Sequence, residues 1–540
     1  MNRMPIPLFP LWALVAAMSL TACGKRDTPP AASVPASAAS TAAAHSSAGI
    51  AWRDAANDAD VDAAFAQARS EHKPVFVYWG AKWCPPCNQV KATLFNRMDF
   101  IERSRAFVPV YIDGDSPGAQ KLGTRFKVRG YPTMVLFNAD GAELTRLPGE
   151  VDAVQYTQVL TLGMNAQRPV RAVLADARSG GTQLTPNDWR LLAFYSWETD
   201  EQQVPKESLP GLLKQLAAAC PADQAETASR LLLKAVAASA DAAPKPDPAA
   251  RAKLTTLLAD ASAARAQMDV LTNNAAELVK ATSAAKTPER AQLIDTFNTA
   301  LKRLEADTTL SRADRMTALW ARVELARIDA GKDEIVKLPA PLLAEVREHV
   351  GRADREISDG YERQAVITAA ADVLERAGLL GESDTLLKAN LAKSHSPYYL
   401  MVQLAANAKK RGDKAEALRW SQEAFDKAEG PATRLQWGAG YVGNLVELAP
   451  QDEARIEAAA AKLFDEAAAQ PNAFYERSAR SLQKAGTKLQ GWNKGRTHAQ
   501  VLQRLQAKLD GVCAGLPTGD PQRAVCEGLL KPGDAAKKGA

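Results

Sequence analysis

Histidine is scarce in this 540-residue chain, aromatic residues make up only 6% of it, and cysteine occurs six times. The five histidines (His45, His72, His349, His395 and His498) are scattered, and only His72 lies near a pair of cysteines. A single C-x-x-C is present and no second one. A structural zinc needs four ligands, so no metal and no other cofactor is expected. An excess of one charge is also lacking. The 67 basic and 62 acidic residues are interleaved and leave a net charge of +5, which excludes the basic footprint of a nucleic-acid binder. After residue 22 no apolar run is long enough to cross a bilayer. The length suits about three or four average domains, or one domain followed by a repeat array.

What stands out against this background is Trp83-Cys84-Pro85-Pro86-Cys87. Two cysteines at this spacing can pass between dithiol and disulfide with little backbone movement. Lys73 to Trp79 ahead of them is apolar and β-rich, and reads as a buried strand. Val90, Leu94 and Phe95 behind them have helical spacing. The pair therefore sits where a strand ends and a helix begins. Free N–H groups and the positive end of the helix dipole favour a thiolate there. Cys84 is the candidate nucleophile and Cys87, one turn into the helix, the candidate resolving thiol. Half of a zinc site and an inert pair of buried thiols are the alternatives; redox chemistry is the stronger reading.

Residues 1–22 read as a signal peptide, with a short basic start and an apolar run from Ile6 to Ala22. Leu20-Thr21-Ala22-Cys23 resembles the bacterial lipobox, which implies cleavage before Cys23 and acylation of its sulfur. Gly24 follows where many such lipoproteins carry an inner-membrane retention aspartate, so the resemblance implies the outer rather than the inner membrane. A periplasm-facing location in the cell envelope permits lasting disulfides. Residues 23–49 are rich in Ala, Ser and Pro and read as a disordered tether reaching about 30 Å. Of the remaining cysteines, Cys513 and Cys526 could staple two terminal helices, adding about 3 kcal/mol. Cys220 would then be a buried free thiol, although a bond from Cys220 to either of them stays open at this stage.

Residues 50–168 read as one α/β domain. A helix over Asp58 to His72 is followed by the first strand and the cysteine helix. Further strands are expected over Phe107–Ile112, Tyr131–Phe137 and Ala142–Leu147, with an Asp140-Gly141 turn, and a closing helix over Val151–Leu162. This order, with W-C-P-P-C ahead and Gly130-Tyr131-Pro132-Thr133 behind, resembles the thioredoxin fold over about a fifth of the chain. The resemblance implies a cis-proline at Pro132 that faces the cysteines, excludes metal and pairs with the substrate backbone. It also implies that Trp83 and Tyr131 help to receive the substrate. Residues 66–75 and Ala92-Thr93-Leu94-Phe95 are most similar to the periplasmic C-terminal domain of membrane thiol:disulfide interchange proteins. The electron-carrying membrane segment of that branch is lacking, so a membrane electron-donor protein is an expected partner. Thioredoxins proper carry a buried Asp six residues before the first cysteine; here Tyr78 stands there, and Pro109 replaces the accompanying Lys. Lys82 is expected to be a solvated surface lysine.

From residue 169 to 540 alanine and leucine rise and amphipathic helices succeed one another. Thr185-Pro186-Asn187-Asp188 reads as a helix start, and Ser311 to Gly331 as a capped helix with Met316, Leu319, Trp320 and Val323 on one face. Pro244 to Pro248 reads as a loop. Gly378 and Gly412, like Pro397 and Pro431, are 34 residues apart, and Leu404, Ala417, Ala424 and Phe425 resemble a tetratricopeptide repeat. A third unit from Trp437 to Tyr441 is out of step, because Pro471 falls six residues late. An all-α solenoid is expected, against the alternative of an irregular helical domain.

The expected activity is envelope thiol–disulfide exchange through Cys84 and Cys87 on protein disulfides. The Pro85-Pro86 dipeptide resembles that of reductant thioredoxin-like proteins, which favours reduction. The rival expectation is a membrane-anchored scaffold in which the helices bind partners and the redox domain is an adaptor. A metal- or haem-handling role rests on the cysteine pair alone.

Overall fold

The computed structural model describes residues 49–147, 149, 152–200, 203–240, 245–330 and 336–531. The signal peptide, Cys23, nearly all of the tether, Pro244 and Gly331 lie outside the described residues.

The first part is an α/β layer built on a five-stranded sheet. Its elements are β1 (Arg53–Asp54), α1 (Asp58–Glu71), β2 (Val75–Gly80), α2 (Pro85–Thr93), α3 (Met98–Arg103), β3 (Val108–Asp113), α4 (Ala119–Phe126), β4 (Thr133–Phe137), β5 (Glu143–Leu147) and α5 (Ala153–Met164). The strand order is β1-β3-β2-β4-β5. β2 lies parallel to β3 and antiparallel to β4, with Val77 opposite both Val110 and Val135. The central strand reads as an unbroken apolar run because the sheet is covered on both faces. Val75, Val77 and Trp79 pack with Phe65, Leu122 and Phe126 on one side. Phe76 and Tyr78 face Leu94, Phe100 and Tyr156 on the other. This is a thioredoxin-like sheet domain. The hairpin between β4 and β5 turns at Gly141, at φ +87°, while the Asn138 side chain accepts the Asp140 and Ala142 amides.

Twenty α-helices follow among the described residues. The change to all-helical structure comes near residue 168, where composition shifts, but packing does not divide there. Val170, Trp189, Phe194, Trp197 and Leu213 share one core with Phe76 and Tyr78, because a sheet buried on both faces needs a second helical layer. Residues from Gly49 onward form one compact unit.

The 34-residue spacing has a structural counterpart. Gly378 and Gly412 both adopt φ near +80°, just beyond the helices Gly360–Arg376 and Pro397–Lys410. That left-handed residue ends a helix at little cost when it is glycine. Pro397 and Pro431 both start helices at the first turn, where a missing N–H costs nothing. The next pair, Pro431–Leu448 and Glu453–Ala468, has helices four and two residues longer than the pair Pro397–Lys410 and Lys414–Lys427. That accounts for the six-residue delay of Pro471. Thr185 and Ser311 cap their helices as capping boxes with Asp188 and Asp314. Among the described residues no helix is long and apolar enough to cross a membrane.

Candidate active site at the strand-to-helix turn

Cys84 is the N-cap of α2, and Pro85 and Pro86 occupy its first two positions. Neither proline has an amide proton, so Cys87 carries the first N–H of the helix. That N–H donates to Cys84 Sγ at 3.2 Å. One oriented amide and the helix dipole are thus aimed at the sulfur that must hold negative charge. The two sulfurs are joined in the structure, with Cα atoms 5.2 Å apart. Buried Asn88 locks the turn, donating from Nδ2 to the Cys84 and Lys82 carbonyls at 2.8 and 2.9 Å.

The Tyr131–Pro132 peptide is cis. Tyr131 packs edge-on against Trp83 with ring centroids 6.0 Å apart and accepts a hydrogen bond from Gln120. Burial pushes the Tyr131 hydroxyl up to about 12. At the position of the thioredoxin aspartate, Tyr78 is buried, stacked on Tyr111 at 5.2 Å, and its hydroxyl has no hydrogen-bond partner. Burial drives its pKa well up, so it carries no proton away from Cys87 at neutral pH. Pro109 is a buried strand residue opposite Phe76.

The helical region covers this site. Cys84 is 2% exposed, Cys87 0% and Trp83 6%. All three belong to one apolar core with Met316, Leu319, Val366 and Ala370. Trp83 stacks on Tyr399 at 5.6 Å and meets Trp437 edge-on at 5.5 Å. Its indole N–H donates to Thr433 Oγ1 at 2.7 Å, and that hydroxyl donates to Asp115 Oδ2 at 2.6 Å. The Thr433 amide also donates to Asp115 Oδ1. Burial raises the Asp115 pKa to about 6. Gln364 reaches the Trp83 carbonyl at 3.4 Å, and Gln89 on α2 donates to Asp314 at 2.6 Å. Lys82 is half exposed, but it is not merely solvated: it pairs with Glu429 at 2.8 Å. Gly430, at φ +88°, lies so close to Asp115 that a Cβ would fall 2.3 Å from the carboxyl carbon.

None of these covering residues was foreseen from the sequence. Gln364, Tyr399, Thr433 and Trp437 lie about 280 to 350 positions beyond Trp83, and of these only Trp437 stands out in the sequence, as the start of a third repeat unit. The one local signal was Gly430 ahead of Pro431, a glycine in a context that otherwise asks only for a helix start.

The other cysteines fall elsewhere. Cys513 and Cys526 are joined, Cα atoms 5.7 Å apart, between the helices Ala499–Ala514 and Pro521–Gly528. Cys220 is free and buried, its thiol pushed up to about 11 by burial.

A cysteine pair at a strand-to-helix turn, a cis Tyr131–Pro132 bond whose tyrosine meets Trp83, and a mixed five-stranded sheet define a thioredoxin-like domain. Residues 61–163 match the thioredoxin-like domain family. A thioredoxin-like protein of Synechocystis is 35% identical over 88 residues, 16% of this chain and 79% of that protein. The chain thus belongs to the thioredoxin-like family. The thiol:disulfide interchange protein DsbD 1 of Pseudomonas aeruginosa is 29% identical over 113 residues, 20% of this chain and 19% of that protein. The chain therefore spans about a fifth of the length of that relative. Among solved structures, the oxidoreductase DsbH aligns at 19% identity and a TM-score of 0.20, covering 22% of this chain and 88% of that one.

Proposed function

We propose that this chain is a thiol–disulfide oxidoreductase of the bacterial cell envelope that reduces disulfides in protein substrates. The observation that carries the reading is the Cys87 amide aimed at Cys84 Sγ at a helix N-terminus, in a domain whose cis Tyr131–Pro132 bond sets Tyr131 against Trp83. In the reduced protein, Cys84 thiolate attacks one sulfur of the substrate disulfide. The substrate S–S bond breaks, the departing thiolate takes a proton, and a mixed disulfide forms. Cys87, having lost its proton to solvent, then attacks Cys84 Sγ and releases the second substrate thiolate. Two electrons and two protons pass to the substrate, and the Cys84–Cys87 disulfide remains. A membrane protein that carries electrons to the envelope would reduce it again. The lipobox at Leu20–Cys23 supports anchoring to the membrane, the outer rather than the inner one. With the dithiol beneath helices, a protein substrate must displace part of that cover, so turnover is reserved for partners that bind the helical region.

The burial of Cys84 and Cys87 also favours a second reading. In it the redox domain is an adaptor and the helices bind partners. Cys87→Ala, expressed with its own leader in a bacterial envelope, separates the two. Mixed disulfides on Cys84 that disappear on reduction, and are absent from Cys84→Ala/Cys87→Ala, are expected for the enzyme. An empty trap from correctly located protein would leave the adaptor reading.

A further inference from the structure

A cavity of about 530 Å³ adjoins the redox site, within the range of about 300–1,000 Å³ usual for specific ligand sites. Three walls come from the helices Pro397–Lys410, Pro431–Leu448 and Glu476–Trp492, and Arg129, two residues before Tyr131, closes one edge. Its charge is one-sided. Arg129, Lys409, Arg477, Arg480 and Lys484 line it, and among the described residues no acidic side chain does. Lys409 and Arg480 pair with Glu447 and Glu476, neither of which lines the cavity. Arg477 makes no salt bridge among the described residues and feels the buried Asp115 carboxyl only through space, while Lys484 is exposed and makes no salt bridge there either. Arg477 instead donates to Gln436 and lies over the rings of Trp83 and Tyr131, 5.0 and 4.8 Å from their centroids. Trp437 supplies an aromatic wall, and its buried indole N–H is a donor without an acceptor.

A donor-rich groove of this volume, lined by residues of several helices, suits a polypeptide segment better than a small ion. We infer that this groove binds an acidic segment of the disulfide-bearing substrate, its carboxylates taken by Arg477 and Lys484 and one acceptor by the Trp437 indole. The inference rests on the oxidoreductase reading for the identity of the occupant, but the groove exists whether or not the dithiol turns over. Docking on the helices beside Trp83 would also place the substrate against the contacts that hide Cys84. Charge selection of this kind acts strongly on encounter and weakens as salt screens it.

The test uses the oxidised full-length protein and fluorescein-labelled twelve-residue peptides without cysteine, so that no thiol exchange contributes. One peptide carries four Asp or Glu residues and the other their Asn and Gln isosteres. The acidic peptide is expected to bind at least tenfold more tightly at about 50 mM salt, with the preference largely lost at about 300 mM. Lys484→Glu, an exposed position, is expected to weaken it at least tenfold, and Lys484→Gln by a smaller factor. Equal binding of the two peptides would overturn the inference. So would acidic-peptide binding unchanged in both Lys484 variants of intact fold, or full displacement by inorganic phosphate at the peptide's own concentration. An empty Cys87→Ala trap alongside charge-selective binding would instead remove the oxidoreductase reading and leave the groove.

Discussion

Cys84–Cys87 and Cys513–Cys526 are both joined, both buried and both carried on helices, yet they sit at opposite ends of those helices. Cys84 caps α2 and Cys87 lies in its first turn. Cys513 and Cys526 both lie in the last turn of their helices. The dipole that steadies a thiolate at the first place opposes one at the second. Neighbours follow the same division. Trp83 and Tyr131 share the core of the first pair, whereas Leu505, Leu509 and Leu529 share that of the second. Burial alone therefore does not separate a redox pair from a staple. The sign of the field at the sulfur does.

The largest effect expected from breaking this contrast is on exchange. Cys84→Ala should lower reduction of a peptide disulfide by about a thousandfold or more, because Cys87, left alone in the first turn, is wholly buried and has no thiol with which to close a disulfide. Cys513→Ser/Cys526→Ser should instead act on stability, by about 3 kcal/mol for a loop of this length, read from urea unfolding. A dithiothreitol titration sharpens the same point at equilibrium. Cys84–Cys87 should open at a reductant ratio at least tenfold milder than Cys513–Cys526, about 30 mV apart or more.

Smaller effects concern the cover. Thr433→Val leaves the Trp83 indole N–H and one Asp115 oxygen without their shared partner, which weakens the closed arrangement by about 1–3 kcal/mol. Alkylation of Cys84 in the reduced protein should then quicken about tenfold. A related effect is on pH. Asp115 is raised from its ordinary value to about 6, so the folded chain holds its proton over a range where the unfolded chain has lost it. The stability tied to that proton is full below about pH 4 and lost as pH rises to about 6, by up to about 3 kcal/mol. Asp115→Asn should flatten that part of the stability profile in calorimetry.

The thioredoxin-like part of the molecule was legible because its information is local. The apolar run from Lys73, the C-x-x-C and Tyr131-Pro132 each specify a neighbourhood within a few residues. The strand before the cysteines, the helix after them and the order of the later strands all follow. Three short pieces were not read: β1, with two residues, α3, with six, and α4, whose stripe of Ala119, Leu122 and Phe126 spans only eight residues. The cover was illegible for the opposite reason. Thr433 completes a hydrogen-bond chain between Trp83 and Asp115 that spans 350 positions, and nothing near Thr433 marks it. Residue 168 looked like a boundary because composition changes there. Composition does not reveal that Trp189 and Leu213 pack beneath Phe76 and Tyr78.

The helical region closes over the Cys84–Cys87 pair. The most direct measurement is the rate at which Cys84 of the reduced, full-length protein reacts with iodoacetamide, compared with the same chain in urea at equal pH. A native rate about a hundredfold or more below the unfolded one is expected, for a site that reacts only through opening. Equal rates in the two states would contradict the cover, and with it the idea that access to Cys84 is granted by what binds the helices.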